Sequence, residues 1–513
     1  MKSLTPPCAL LTLTALLAAP ASAQWSTELL SVSRTSPTAT SAGDLAFIAG
    51  GRAGNVAIAT VDIYDDASGV WRTPETLPAG PRNILAATAV GRYVLFAGGS
   101  ISPTASTDIV EVYDTQTSTW LAPGALSQAR FAVAAATIGD IAMFAGGALG
   151  GPGNVLAASD VVDLYDSSLG APSDPAAWST ATPLSVACAH MAAATVGDQV
   201  VFAGGLDLVA ALADVDIYDA SAGAPSDPAA WTTAALSEAR VLYQHASATV
   251  GALALFGGGI VSSSPPAMSD VVDIYDATTG AWTATALSSP RTLVAAAALG
   301  NTVLFAGGVN ASLAASDVVD VYDAGTGTFG PLAQLSIPRY ESAAISVGGR
   351  AMFAGGSNGA SNFRRIDVFE PLGVGYCSVN ANSTGQRAAI GATGGASVVA
   401  NSFGLEASDL PIGSFAYFLT SRTQGFVVAP GGNQGNLCLG GAIGRFVGPG
   451  QVQQADGAGA IALQLDLSIQ PTPTGPVMVS AGETWSFQAW YRDSVGGAAT
   501  SNFTGGLAVR FRQ

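Results

Sequence analysis

The sequence predicts an all-β protein: a ring of seven four-stranded units over residues 24–370, then a smaller β-sandwich over 371–513. Three observations predict it. A Gly-Gly pair recurs seven times, each pair closing a short apolar run. A Tyr-Asp signature follows every pair. Both patterns stop at Pro371, beyond which short strand-like runs continue without a period.

Taken in order, the chain opens on Lys2, the only lysine, and an apolar stretch from Cys8 to Ala19. Small residues at Ala21 and Ala23 complete the pattern of an export signal over 1–23, which makes Gln24 the expected mature N-terminus. The apolar run is short for a bilayer span, so the mature chain is expected to have no membrane span and to be secreted, periplasmic or held at the cell envelope. Charged residues are only 11% of the chain and the formal net charge is -17. An acidic chain without a basic block excludes a nucleic-acid backbone as partner.

The Gly-Gly pairs begin at Gly50, Gly98, Gly146, Gly204, Gly258, Gly307 and Gly355, in steps of 48 to 58 residues. A fixed period of this length marks a repeat architecture. The signatures run from VDIYD at 61–65 to IDVFE at 366–370, and an aromatic closes six units: Trp71, Trp120, Trp178, Trp231, Trp282 and Phe329. Within each unit an Ala-rich run, the run ending in Gly-Gly, the Tyr-Asp run and the aromatic run alternate as strands do. Gly139-Asp140 and Gly197-Asp198 are turn signals between the first two. Four-stranded units repeated around an axis make a β-propeller, with small alanines where the inner strands crowd. The seventh unit lacks its closing aromatic, and Trp25 precedes Arg34 at the spacing seen elsewhere. Residues 24 to about 30 are therefore expected to supply the last strand of unit 7, with Trp25 near Phe369, so that an N-terminal strand closes the ring.

Gly-Gly, then Tyr-Asp, then Trp, with arginine opening the next unit, resembles the kelch repeat across residues 24–370. The resemblance implies a seven-bladed propeller in which these positions are structural. It also invites comparison with galactose oxidase, which joins seven such blades to a β domain and holds copper on histidines and tyrosines. No residue here matches that site: nothing after 370 is histidine, and His190 and His245 lack the family's Tyr-His pair. No catalytic residue, cofactor or metal ligand is therefore assigned, although Cys188, His190, Tyr243 and His245 occupy neighbouring units.

Six units open on arginine: Arg34, Arg82, Arg130, Arg240, Arg291 and Arg339. Cys188 holds this place in the fourth, where LSVACAHMAAATVGDQVVFAGG aligns with LSQARFAVAAATIGDIAMFAGG. The resemblance implies a structural guanidinium clamp, for which a planar multi-donor fork is suited; the alternative is an electropositive ring at the mouth of the axis. Cys188 is expected to be a buried free thiol. Residues 24–370 carry 30 acids against 12 arginines, and the signature acids are expected to accept hydrogen bonds at strand edges and turns, with weak cation binding as the alternative. Units 3 and 4 share an insert, GAPSDPAAW at 170–178 and 223–231, expected as a rigid protruding loop. The loops after Gly-Gly differ most between units, as binding loops on a rigid scaffold do. The longest are Ala148 to Ser159 and Ile260 to Ser269, and Arg52, Arg364 and Arg365 are the basic groups of this possible binding face.

After Pro371, strand-like runs appear at Ser397–Ala400, Phe415–Thr420, Ile461–Leu467, Trp485–Tyr491 and Leu507–Phe511. The runs FAYFLTSRTQGF, GNQGNLCLGGAIGRF and GETWSFQAWYRD are similar to a C-terminal module of secreted planctomycete-type bacterial proteins, which implies export and modularity. Arg422, Arg445, Arg492 and Asp493 are its notable charges. Cys377 and Cys438 share this domain in a compartment that permits disulfides and are expected to pair. Asn310, Asn382 and Asn502 lie in Asn-x-Ser/Thr triplets. The leading function is a noncatalytic binding or scaffold protein presenting a propeller face to an extracellular protein or polysaccharide. The alternatives are a carbohydrate-active or oxidoreductase enzyme and a structural envelope protein.

Overall fold

The structure is a computed structural model that describes residues 24–243, 246–263 and 265–512. The export signal expected over 1–23 lies outside them. The described chain is all-β, with many small antiparallel sheets and no helix beyond single 3-10 turns. It divides into two compact units, Trp25–Glu370 and one containing Pro371–Gln513.

The first unit contains seven sheets of four strands, six of them in sequence order and three with the fourth strand split in two. The third repeat shows the pattern: Ala134–Ile138, Ile141–Ala145, Val162–Asp166 and Trp178–Thr180 form a meander. Gly139, at φ 54°, makes the first turn with no atom near where a Cβ would stand. Gly146 is different: at φ 63° its Cβ would meet the Cys188 carbonyl at 2.6 Å, so glycine is needed for both conformation and close approach. In the last repeat Ala343–Val347, Arg350–Ala354 and Arg365–Glu370 are joined by Gln24–Leu29, and the Trp25 ring stands 5.2 Å from that of Phe369. Tyr-Trp pairs at 5.0 to 5.3 Å occupy this place in the first five repeats.

The Ala-rich first strands neighbour one another in series, and Ala343–Val347 of the last repeat lies beside Thr38–Ala42 of the first. Hydroxyls tie them where alanines leave room: Thr88 to Thr137 at 2.7 Å, and Thr195 to the Thr137 carbonyl at 2.9 Å. The second strands are almost wholly buried, because each apolar layer lies between consecutive sheets. The layer joining Ile345, Met352 and Val368 to Ala46, Ile48 and Tyr64 spans the last repeat and the first. The arrangement is compatible with a propeller.

The duplicated insert folds identically in its two copies. Asp174 and Asp227 cap 3-10 turns at Pro175–Ala177 and Pro228–Ala230, while Trp178 and Trp231 donate to the Pro172 and Pro225 carbonyls. Only the tip projects, since Pro172 and Pro225 are buried. In the first two repeats the same indole donor reaches a glutamate of another strand, Glu28 for Trp71 and Glu75 for Trp120.

The second unit has a large antiparallel sheet built on Thr484–Val495 and Phe415–Ser421, and a three-stranded sheet of Ala389–Thr393, Gly404–Ser408 and Ile461–Gln464. Phe403, Leu405, Phe418, Trp485, Phe487 and Phe511 fill the core, an arrangement compatible with a sandwich. Residues 397–400, expected as a strand, form a turn instead: Ser397 caps the Ala400 amide, and Val399 is exposed and without a pairing strand. A disulfide joins Cys377 and Cys438.

Candidate functional site

Each arginine-opened repeat begins with a buried clamp. Arg34 pairs with Asp62, Arg82 with Glu111, Arg130 with Asp163, Arg240 with Asp273, Arg291 with Asp320 and Arg339 with Asp367. The acid is always the first of the Tyr-Asp signature. The guanidinium also fastens the Gly-Gly turn to the third strand: Arg82 donates to the Gly98 and Ile109 carbonyls, both at 2.9 Å, and Arg291 to those of Gly307 and Val318 at 2.7 and 2.8 Å. Burial pushes these groups down, Arg34 to about 10, which still leaves them protonated at neutral pH. The second signature acid caps the following turn, as Asp114 and Asp276 do for the amides of Gln116 and Thr278. Among the described residues no group of three His, Cys, Asp or Glu could hold a metal ion.

Cys188 stands in the clamp position of the fourth repeat, buried, its thiol pushed up to about 12 by burial. It is therefore no nucleophile at neutral pH. Its repeat retains the acid: Asp216 turns to Ser185, accepting from the amide at 3.1 Å and the hydroxyl at 3.0 Å, and burial holds its carboxyl above the ordinary range.

Just beyond each opening residue the chain enters the left-handed region. Ser36, Ile84, Ala132, His190, Tyr243, Leu293 and Glu341, one per repeat, all have φ between 50° and 57°. Positive φ at seven non-glycine residues, a β-branched isoleucine among them, is costly backbone that only a surrounding framework holds in place. Main-chain bonds link several neighbours: Ser36 N donates to Glu341 O, Ala132 N to Ile84 O, His190 N to Ala132 O and Tyr243 N to His190 O. The clamps fix this backbone from beneath.

Six of the seven line one pocket of about 100 Å³, together with Pro37, Arg52, Leu85 and Val294. Glu341 Oε2 accepts from Thr35 Oγ1 at 2.7 Å and Ser36 Oγ at 2.6 Å, and forms an ion pair with Arg52 at 3.5 Å. The His190 and Tyr243 rings are 4.9 Å apart. Burial lowers His190 to about 4, so its ring is neutral at pH 7, and burial raises the Tyr243 phenol. Below lies a narrower space of about 60 Å³ among the alanine-rich first strands. The pocket thus offers an apolar floor, two rings and one carboxylate–guanidinium pair of cancelling charge.

The loops after Gly-Gly rise around it, because the first loop residue bridges the residue just before or near each left-handed one, as in Thr35 with Arg52 and Phe131 with Ala148. Four of these loops are two-stranded ribbons. Arg52 reaches the pocket. Arg364 is exposed and Arg365 donates to Thr27 Oγ1 at 3.1 Å; neither lines it. No opening arginine lines it either, so the mouth has no arginine ring. His190 and Tyr243 come together as their neighbouring units suggested, while His245 lies outside the described residues. Sequence reasoning missed Glu341, Ser36, Ile84 and Leu293. A partial signal was present: two residues after the opening residue, or three in the fifth repeat, the chain reads Ser, Ile, Ala, His, Tyr, Leu and Glu, different in every repeat.

In the second unit Arg422 pairs with Glu483 and lies over the Trp485 ring, Arg445 and Arg492 are exposed, and Asp493 accepts from Ser383 N at 3.0 Å. Asn382 and Asn502 are buried and Asn310 caps its own turn.

No family model matches the chain. No curated protein matches it either. Among solved structures, the chain described as "Structure of YjhT" is similar to 66% of this chain over 95% of its own length, at 13% identity and a TM-score of 0.44.

Proposed function

We propose that residues 24–370 form a seven-bladed kelch-type propeller closed by the N-terminal strand, and that the chain is an exported, noncatalytic binding protein presenting the pocket face of that propeller to an extracellular protein or polysaccharide. One observation carries this reading: six of seven equivalent, strained backbone positions line one pocket while their side chains differ in every repeat. A framework that repeats while one position varies is how a rigid scaffold carries a recognition surface. Export rests on the leader pattern and the Cys377–Cys438 bond, which needs an oxidising compartment. The 371–513 module extends the chain as a separate β-sandwich.

The test is a binding screen of the intact mature chain against glycan and surface-protein arrays, repeated with Glu341→Ala and Leu293→Arg. Binding without turnover, lost in both variants at unchanged melting temperature, is expected. Binding indifferent to both variants overturns the reading. A second reading, an enzyme, draws on the meeting of Glu341, a neutral His190 and Tyr243 in one pocket. Turnover of a bound ligand abolished by His190→Ala would select it.

A further inference from the structure

The loops on the pocket's face carry exposed aliphatics. The loop tips around it expose Val56, Ile101, Leu156, Val209 and Leu313, from five different repeats, with Val209 90% exposed. Val155 and Leu208 are exposed in the same loops, and the other exposed large aliphatics of this unit, Leu29, Val70, Leu169 and Leu332, lie outside them and are scattered. Isolated exposed aliphatics need no explanation, but a set gathered on one face around a pocket marks an interaction site. Charge is sparse in the same loops. Before the charged residue that leads into most third strands, the seven hold one arginine and one aspartate, Arg52 and Asp207, while Asp108, Asp160, Asp214, Asp270, Asp317 and Arg364 stand at the loop bases, in a unit with a net charge of -18. Asp207 caps its own loop, its Oδ1 accepting from the amides of Val209 and Ala210 at 2.9 and 2.7 Å.

The pocket's polar edge is half used. Glu341 takes all three of its donors on Oε2, and its Oε1 has no donor among the described residues. Arg52 Nε is buried and likewise without a partner among them. Glu341 therefore presents, on one wall above a floor of Ile84, Leu85 and Leu293, an acceptor oxygen with no donor among the described residues. An occupant that donates to that oxygen as it is desolvated is favoured. A charged occupant is not, because the pair already cancels itself and His190 is neutral. A peptide residue meets these terms, with a neutral main-chain N–H donor beside an apolar side chain.

Resting on the binding-protein reading above, we propose that this face docks a protein partner through a protruding loop whose single uncharged apolar side chain enters the axial pocket. The partner's main-chain N–H donates to Glu341 Oε1. The aliphatic crown of Val56, Ile101, Leu156, Val209 and Leu313 excludes water around that anchor, the usual build of a binding hot spot. Exposed aromatics, on which sugars stack, are absent from the crown, and that favours protein over polysaccharide.

The experiment pans the intact mature chain against a phage-displayed library of disulfide-closed random heptapeptides. Selected peptides are expected to share one large apolar residue among uncharged ones. A synthetic copy is expected to bind at least tenfold more weakly to Val209→Asp and to Leu313→Asp, whose exposed positions leave the fold intact, and to Glu341→Ala at unchanged melting temperature. Charged anchors, no selection above background, or affinity unchanged in the crown variants overturn the proposal. So does binding to phosphatidylcholine–phosphatidylglycerol vesicles that Val209→Asp abolishes. If an array glycan binds through Glu341 and no peptide does, the binding-protein reading stands and this inference falls; if no arm binds, both fall.

Discussion

Cys188→Arg inserts a guanidinium where six of seven repeats already have one. The acceptors are in place. Elsewhere the arginine donates to the Gly-Gly carbonyl, to the carbonyl two residues before the acid, and to the acid itself, as Arg291 does to Gly307, Val318 and Asp320. The counterparts in the fourth repeat are Gly204 O, Asp214 O and Asp216. The backbone matches too: Gly205 and Gly147 reach the carbonyls of Arg240 and Cys188 at 3.1 and 2.8 Å. Each charge-assisted bond contributes roughly 1.5–3 kcal/mol. Against three of them stand the desolvation of one guanidinium, several kcal/mol, and about 1–3 kcal/mol of overpacking beside Leu184 and Met191. Asp216 is already buried, so its desolvation is not incurred again. The net effect is therefore small, between about -1 and +2 kcal/mol. The coupling to Asp216 is the sharper quantity, because removing one partner of a buried pair costs about 3–5 kcal/mol. Urea unfolding of Cys188→Arg, Asp216→Asn and the double variant measures it as a cycle. A coupling of about 3 kcal/mol is expected, and one under about 1 kcal/mol refutes the reasoning. pH supplies a check. The folded-state pKa of Asp216 is raised, so the unfolded chain ionises first and this group's contribution to stability falls as pH rises from its unfolded value through its folded one. With arginine opposite, that loss is expected to disappear.

The other predictions are independent of that cycle. His190, lowered to about 4 by burial, binds its proton in the unfolded chain first. Its contribution is complete above about pH 6.5 and lost as pH falls toward 4, of the order of 1–3 kcal/mol by thermal unfolding, and His190→Phe is expected to flatten that slope; an unchanged slope refutes the assignment. Cys377→Ser opens a bond spanning 61 residues and is expected to cost the second unit about 2–4 kcal/mol in a denaturant titration, while a melting curve insensitive to reductant counts against it. Gln24–Leu29 fills the sheet of the last repeat, and Leu30 N donates to Arg364 O at 2.7 Å. Amides 26–30 are thus expected to exchange with the core of that repeat, and exchange at the rate of a free tail would refute an N-terminal strand locked into the sheet.

The sequence by itself determined what repeats. Period-two alternation, turn glycines and the Tyr-Asp and Trp signatures are local, so they specify four strands per unit wherever they occur, and the vacancy after Phe369 together with the spare Trp25 locates the missing strand. It also placed Arg52 on the variable face and Cys188 in the arginine position. It misread 397–400, where Ser397 makes a single bridge to Arg512 and the chain then turns, leaving Val399 without a strand beside it, because strand propensity reports fit to a partner that only the fold supplies. Tertiary structure decided what converges. Asp62 and Arg34 are 28 residues apart and Glu341 and Ser36 are 305 apart, and no local pattern says that the first acid of each signature answers an arginine or that a glutamate meets a serine and Arg52 from the far end of the unit. Strand periodicity fixes which side of a sheet a residue faces; the pocket is made where left-handed residues from separate sheets meet at one mouth, and that meeting exists only once the sheets are arranged around it.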